Sequence, residues 1–272
     1  MRKPAIVMLG LAAACGPENR RAPGDVDSGV GRADASDSPV DGTQPVTTFV
    51  YAHTASTLYR VDPESLAITM VGDFQFSTGS DQITDIAIDK AGTLIGISFT
   101  GVYRIDPATA VATRLSSDLA GTFNGLSFVP ADQLGQTGDD VLVATRNSNG
   151  AVFRVDPATG ATTQIGNMGN FASSGDLVSV AGFGTLQTAD NGPSADRLVR
   201  LAPQSFAATA VGSTIGYADI WGIAYWKDKV FGFTEAGQFI TIDPTTGIGT
   251  LVQSNGPRWW GAAVTTLAPV IL

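Results

Sequence analysis

Few residues in this chain could carry chemistry, and they are thinly spread. There is one histidine, His53, and one cysteine, Cys15. A Ser-His-Asp relay would have to run through His53, and no G-x-S-x-G nucleophile turn accompanies it. Asp85, Asp176 and Asp219 could supply the paired carboxylates of glycoside hydrolysis, but the sequence fixes no distance between them. Neither a phosphate-cradling loop nor a cysteine-histidine metal cluster is present. What remains is a set of aromatic and polar residues suited to holding a ligand: Thr84, Asp85, Asn124, Asp176, Trp221, Trp259 and Trp260. Indole faces beside carboxylates and amides fit a sugar or another polar ligand with apolar faces.

The elements that must position these residues follow from an internal repeat. Five segments resemble one another: TLYRVDPESLAITMVG, GVYRIDPATAVATRLS, AVFRVDPATGATTQIG, RLVRLAPQSFAATAVG and QFITIDPTTGIGTLVQ. Their anchors are Asp62, Asp106, Asp156, Ala202 and Asp243. The period of roughly 41 to 50 residues suits four-stranded propeller blades. Each segment reads as a hairpin. Pro presets the turn, Asp accepts turn N–H groups, and Gly in the fullest copies takes the left-handed position. The four anchor carboxylates are held apart around a ring, so they build turns and cannot converge on one ion.

Two further strands precede each hairpin. We label the four strands a to d in blade order. Strand b is expected at 49–53, 94–98, 141–145, 186–189 and 230–234, and strand a at 85–88, 125–128, 177–180, 222–225 and 261–264. The first blade therefore lacks a strand a, and the C-terminal segment 260–267 supplies one. The expected fold is an all-β, five-bladed β-propeller over residues 48–272, closed by the C-terminal strand on the first blade.

The repeats resemble the L-Y-x-x-D-P-x-T-G blades of bacterial extracytoplasmic propellers with YVTN- or NHL-like architecture. The likeness covers about residues 48–267 and implies a fold, since such blades serve unrelated functions. Propeller lactonases and esterases of similar fold use Glu/Asn/Asp metal sites at the channel. By that resemblance Asp85, Asn124 and Asp176 would imitate one, while the other two blades offer Trp-Gly there.

Residues 1–14 read as an export signal. Arg2 and Lys3 precede an apolar stretch too short to span a membrane, and Ala12, Ala13 and Ala14 lead to Cys15. This resembles the bacterial lipobox, with Ala12 where Leu is usual; the alternative is an ordinary signal cut near Ala14. The resemblance implies that Cys15 is lipidated and anchors the chain at the membrane. Residues 15–47, rich in Gly, Pro, Asp and Ser, read as a disordered tether. The Cys-Gly-Pro start and this tether also resemble surface lipoproteins of myxobacteria. Gly16, which is not a retention aspartate, favours the outer membrane.

Composition narrows the partners. The net charge is -9, with 25 acidic and 16 basic residues and no basic stripe, which disfavours nucleic acid. No cofactor is expected, and the chain is expected to be a monomer.

Strand order places the d-to-a loops together at one end of the channel and the Asp-Pro turns at the other. The pairs Thr84-Asp85, Asn124-Gly125, Asp176-Leu177, Trp221-Gly222 and Trp260-Gly261 are expected to ring the first end, with Arg258 and Trp259 just outside. Trp221 and Trp260 have two readings, as ligand platforms or as wedges between blades. Three functions are carried forward: a non-enzymatic envelope binding protein for a glycan or a protein, a metal-dependent hydrolase or lactonase, and a structural scaffold.

Overall fold

The chain reverses at each Asp-Pro segment through one repeated set of bonds. In the computed structural model, which describes residues 50–146, 149–192 and 195–271, Asp62 accepts the N–H groups of Glu64 and Ser65, each at 2.9 Å. Asp243 accepts those of Thr245 and Thr246 at 2.7 and 2.9 Å. Asp106 and Asp156 do the same in their own turns. These bonds hold Asp62, Asp156 and Asp243 below the usual carboxylate range. The residue four places on is left-handed in all five blades: Leu66, Ala110, Gly160, Phe206 and Gly247, with φ of 61°, 59°, 75°, 58° and 74°. A side chain at that position costs about 1 kcal/mol. Burial of Ala110 and Phe206 between blades offsets it.

Five antiparallel four-stranded blades result. Blade 2 is Asp85–Ile88, Leu94–Ile97, Val102–Ile105 and Val111–Ser116. Blade 3 is Gly125–Val129, Val141–Thr145, Ala151–Val155 and Thr162–Asn167. Blade 4 is Ser173–Val180, Gly184–Ala189, Arg197–Leu201 and Ala208–Val211. Blade 5 is Ile220–Trp226, Lys229–Thr234, Phe239–Ile242 and Gly249–Gln253. Blade 1 joins the chain ends: Gly261–Ala263 is its strand a, followed by Val50–His53, Thr57–Val61 and Ile68–Asp73. The closing pairs are Tyr51 with Ala263, Ala52 with Ala262 and His53 with Gly261. A short extra strand, Gln75–Phe76, runs parallel to Val111–Ser116 and covers the outer edge of blade 2. Neighbouring inner strands touch around the whole ring. The core lies in apolar layers between blades.

The closing strand is shorter than the expected 260–267. Pairing stops at Ala263, and the chain then crosses the end of the channel opposite the d-to-a loops. Thr265 Oγ1 donates to Asp89 O at 2.9 Å in blade 2, and Thr266 Oγ1 to Asp140 Oδ2 at 2.6 Å in blade 3. Ala181 N of blade 4 donates to Thr266 O at 2.8 Å, and Lys227 N of blade 5 to Pro269 O at 2.8 Å. The tail thus ties the a-to-b turns of the other four blades. Side-chain and backbone bonds to turns of the ring hold the tail in place of a neighbouring strand.

The chain divides into Met1–Pro45 and Val46–Leu272. The signal at 1–14, Cys15 and the tether to residue 47 lie outside the described residues. No helix among the described residues is long and apolar enough to cross a membrane.

Candidate binding site at the channel mouth

Ladder register shows which residues share a level of the channel. Asp85 lies opposite Ile97, Gly125 opposite Thr145, Gly222 opposite Phe233 and Gly261 opposite His53. In blade 4 Leu177 lies opposite Gln187, which sets Asp176 against Thr188; Asp176 N donates to Thr188 Oγ1 at 3.1 Å. The equivalent of Asp85 is therefore Asp176, one residue earlier than the sequence pairing of Asp176-Leu177 implied. An irregularity between Ser173 and Leu177 accounts for the offset.

One tier of the channel is thus Asp85, Gly125, Asp176, Gly222 and Gly261. The glycines are required by crowding. A Cβ at Gly222 would lie 2.5 Å from Gly261 C, and one at Gly261 would lie 2.3 Å from Asp85 Oδ1 and 2.4 Å from His53 Nε2. The two carboxyls fill the centre. Asp176 accepts from Leu177 N at 2.7 Å, Ile223 N at 2.9 Å and Leu126 N at 3.4 Å, and Asp85 accepts from Ile86 N at 2.8 Å. Both are 0% exposed. Burial, and for Asp85 the charge of Asp176, push the pair well above the usual carboxylate range. Asp85 Oδ2 is buried without a hydrogen-bond partner.

His53 completes this buried group. Its Nδ1–H donates to Thr54 O at 2.8 Å, and Nε2 stands 4.0 Å from Asp85 Oδ1 with no hydrogen-bond partner. Burial lowers its pKa to about 4. A nearby polar cluster, which the sequence reading did not single out, links blades 3 and 4: Thr145 Oγ1 donates to Gln187 Oε1, and Gln187 Nε2 to Ser173 Oγ at 2.8 Å.

The tier above this plug forms the mouth: Thr84, Asn124, Gly175, Trp221 and Trp260. Thr84 Oγ1 donates to Ile97 O at 3.2 Å and Asn124 Nδ2 to Ser173 O at 3.3 Å. Trp221 and Trp260 are half-buried and meet edge to face, with ring centroids 6.3 Å apart at 82°. The Arg258 guanidinium lies 5.2 Å from the centre of the Trp221 ring and pairs with Glu235. The sequence reading missed Glu235. It lies in the b-to-c turn of blade 5, which antiparallel strand order puts on the same face as the d-to-a loops.

Adjacent tryptophans divide the two roles that the sequence left open. Trp259, expected at the mouth, is 1% exposed and lies between blades 5 and 1. Its ring is 5.1 Å from Tyr59 and 5.3 Å from Phe233, each edge to face. Trp259 is the wedge; Trp221 and Trp260 face the mouth.

The metal-site arrangement is only partly assembled. Asp85 and Asp176 meet, but Asn124 turns its amide nitrogen to Ser173 O, and three N–H groups already engage Asp176. Among the described residues, no group of three or more His, Cys, Asp or Glu is placed to hold a metal ion.

The opposite face carries cavities of its own. One of about 640 Å³ lies under blade 3, lined by Phe128, Leu142, Val155, Ile165, Arg154 and Asp156. Another of about 260 Å³ lies beside Trp226, whose Nε1 donates to Glu64 Oε1 at 2.9 Å.

No family model matches this chain, and no curated protein matches it. Solved structures do. The structure described as a nidogen/laminin complex aligns with a TM-score of 0.52 at 10% identity, over 80% of this chain and 97% of that one. BamB from Moraxella catarrhalis aligns with a TM-score of 0.38 at 17% identity, over 76% of this chain and 61% of that one. An auxiliary nutrient binding protein from Bacteroides ovatus gives 0.48 at 17% identity, over 75% and 54%. This chain therefore spans less than two thirds of the length of the latter two. The strand order, together with the likeness to the nidogen/laminin complex structure, shows the fold, a five-bladed β-propeller.

Proposed function

We propose that this protein is a non-enzymatic binding lipoprotein of the cell envelope, which holds a glycan or a protein on the Trp221–Trp260 mouth. One observation carries the reading. Two half-exposed indoles meet edge to face directly above a tier closed by buried carboxyls. A ligand would rest on that platform and use its aromatic faces and polar rim, since the channel beneath has no room. The Cys15 anchor and the tether would hold the platform away from the membrane, on the outer membrane by the Gly16 argument.

Two measurements test this reading. Glycan arrays and envelope pull-downs should lose signal in the Trp221→Ala/Trp260→Ala double variant while its melting temperature holds. Unchanged binding would remove the site assignment. Metabolic labelling with a fatty-acid analogue should mark the wild type and leave Cys15→Ser unmarked; equal labelling would remove the anchor.

A further inference from the structure

We propose that the slot between Trp221 and Glu235 receives a cationic side chain of a partner protein, and that Arg258 occupies this slot in the free protein. The inference rests on the binding reading of the mouth and names the chemistry of its ligand. A guanidinium over an indole face, paired with a carboxylate, is what a cation receptor supplies: ring quadrupole on one side and opposite charge on the other. Arg258 makes both contacts, 5.2 Å from the Trp221 centroid and paired with Glu235. Trp260, at 82° to Trp221, adds a second wall.

The occupant is displaceable. The Arg258 side chain is 59% exposed and comes from an irregular segment, whereas Glu235 is 31% exposed and held by its backbone N–H to Asp219 O at 2.9 Å. An incoming arginine would make the contacts that Arg258 gives up. A neutral sugar would have to uncover the same indole face and leave Glu235 without a partner. The net charge of -9 steers cations toward the protein. Arg258 thus acts as a built-in competitor that sets the threshold for binding.

Calorimetric titration of the full chain tests this, with acetyl-Gly-Arg-Gly-amide as probe and the Gln tripeptide as control. Arg258→Ala should bind the arginine peptide about tenfold more tightly than wild type. Adding Glu235→Gln should remove that gain, and the Gln peptide should not bind. Arg258→Ala binding both peptides alike, or neither, overturns the proposal. So does a gain in binding to neutral oligosaccharides. Either of these results leaves the broader reading standing if the double tryptophan variant still loses its envelope ligand. Arg258→Gln serves as a second variant if the alanine change alters folding.

Discussion

His53 Nε2 and Asp85 Oδ1 face each other at 4.0 Å across the bare Cα of Gly261, where the last strand closes the first blade. Ring closure and the buried titratable group therefore meet at the same point of the fold. Gly261→Ala would place a methyl 2.3 Å from Asp85 Oδ1 and 2.4 Å from His53 Nε2. We expect a loss of about 3 kcal/mol from overpacking, measured as the urea midpoint at constant slope. An unchanged midpoint would mean that the strands do not meet this closely.

Acidity should move stability in opposite directions through the two partners. The pKa of Asp85 is raised by burial and by Asp176, so its contribution is full below the unfolded value near 3.8 and falls as pH rises through the folded value. Asp85→Asn should therefore stabilise the protein more at pH 8 than at pH 4. His53 is lowered to about 4 by burial, so its contribution is full above 6.5 and is lost as pH falls toward 4. His53→Gln should flatten that acid limb. Urea midpoints across pH 4 to 8 check both, and parallel wild-type and variant curves would contradict them.

Trp259 and Trp260 are neighbours in sequence with different work. Trp259→Ala should cost about 3–5 kcal/mol, because it empties the seam between blades 5 and 1. Trp260→Ala should cost under about 1 kcal/mol, as a half-exposed residue. Thermal melts of the two variants decide, and equal losses would return Trp260 to the wedge role.

The blade frame was legible because its signals are local. Asp-Pro followed by a left-handed residue writes a hairpin within five positions, and four of the five copies keep the aspartate. Trp221-Gly222 and Trp260-Gly261 could be matched for the same reason. The blade 4 tier slipped by one residue because the irregularity near Gly175 leaves no periodic mark. Trp259 was misplaced because an irregular segment has no alternation to say which side a residue takes. Residues 264–267 were read as strand because the partners of this segment are single groups scattered over four blades, which no local pattern can announce.

Those scattered bonds give a prediction of their own. Removing residues 264–272 should lower the melting temperature by several degrees, since it strips hydrogen bonds to blades 2, 3, 4 and 5. Truncation after Asn255 also removes the closing strand and Trp259, and should abolish cooperative unfolding. Calorimetry separates the two; a cooperative melt of the shorter chain near the wild-type temperature would contradict the closure.

Ala202 stands where four blades carry aspartate. The Gln204 and Ser205 N–H groups of its turn already donate to Gln133 O and Pro203 O, and Gln204 is left-handed at φ 63°, so Ala202→Asp should change stability by less than about 0.5 kcal/mol. The urea midpoint reads it, and a gain of about 1 kcal/mol would contradict this account of the turn.

The chain's four tryptophans report the seam and both faces at once. Fluorine NMR of 5-fluorotryptophan-labelled protein, titrated with solubilised envelope fraction, tests the mouth most directly. The resonances of Trp221 and Trp260 should shift or broaden, while Trp259 in the seam and Trp226 on the opposite face hold still. A response at Trp226 with Trp221 and Trp260 unmoved would place binding on the Asp-Pro face and contradict the account.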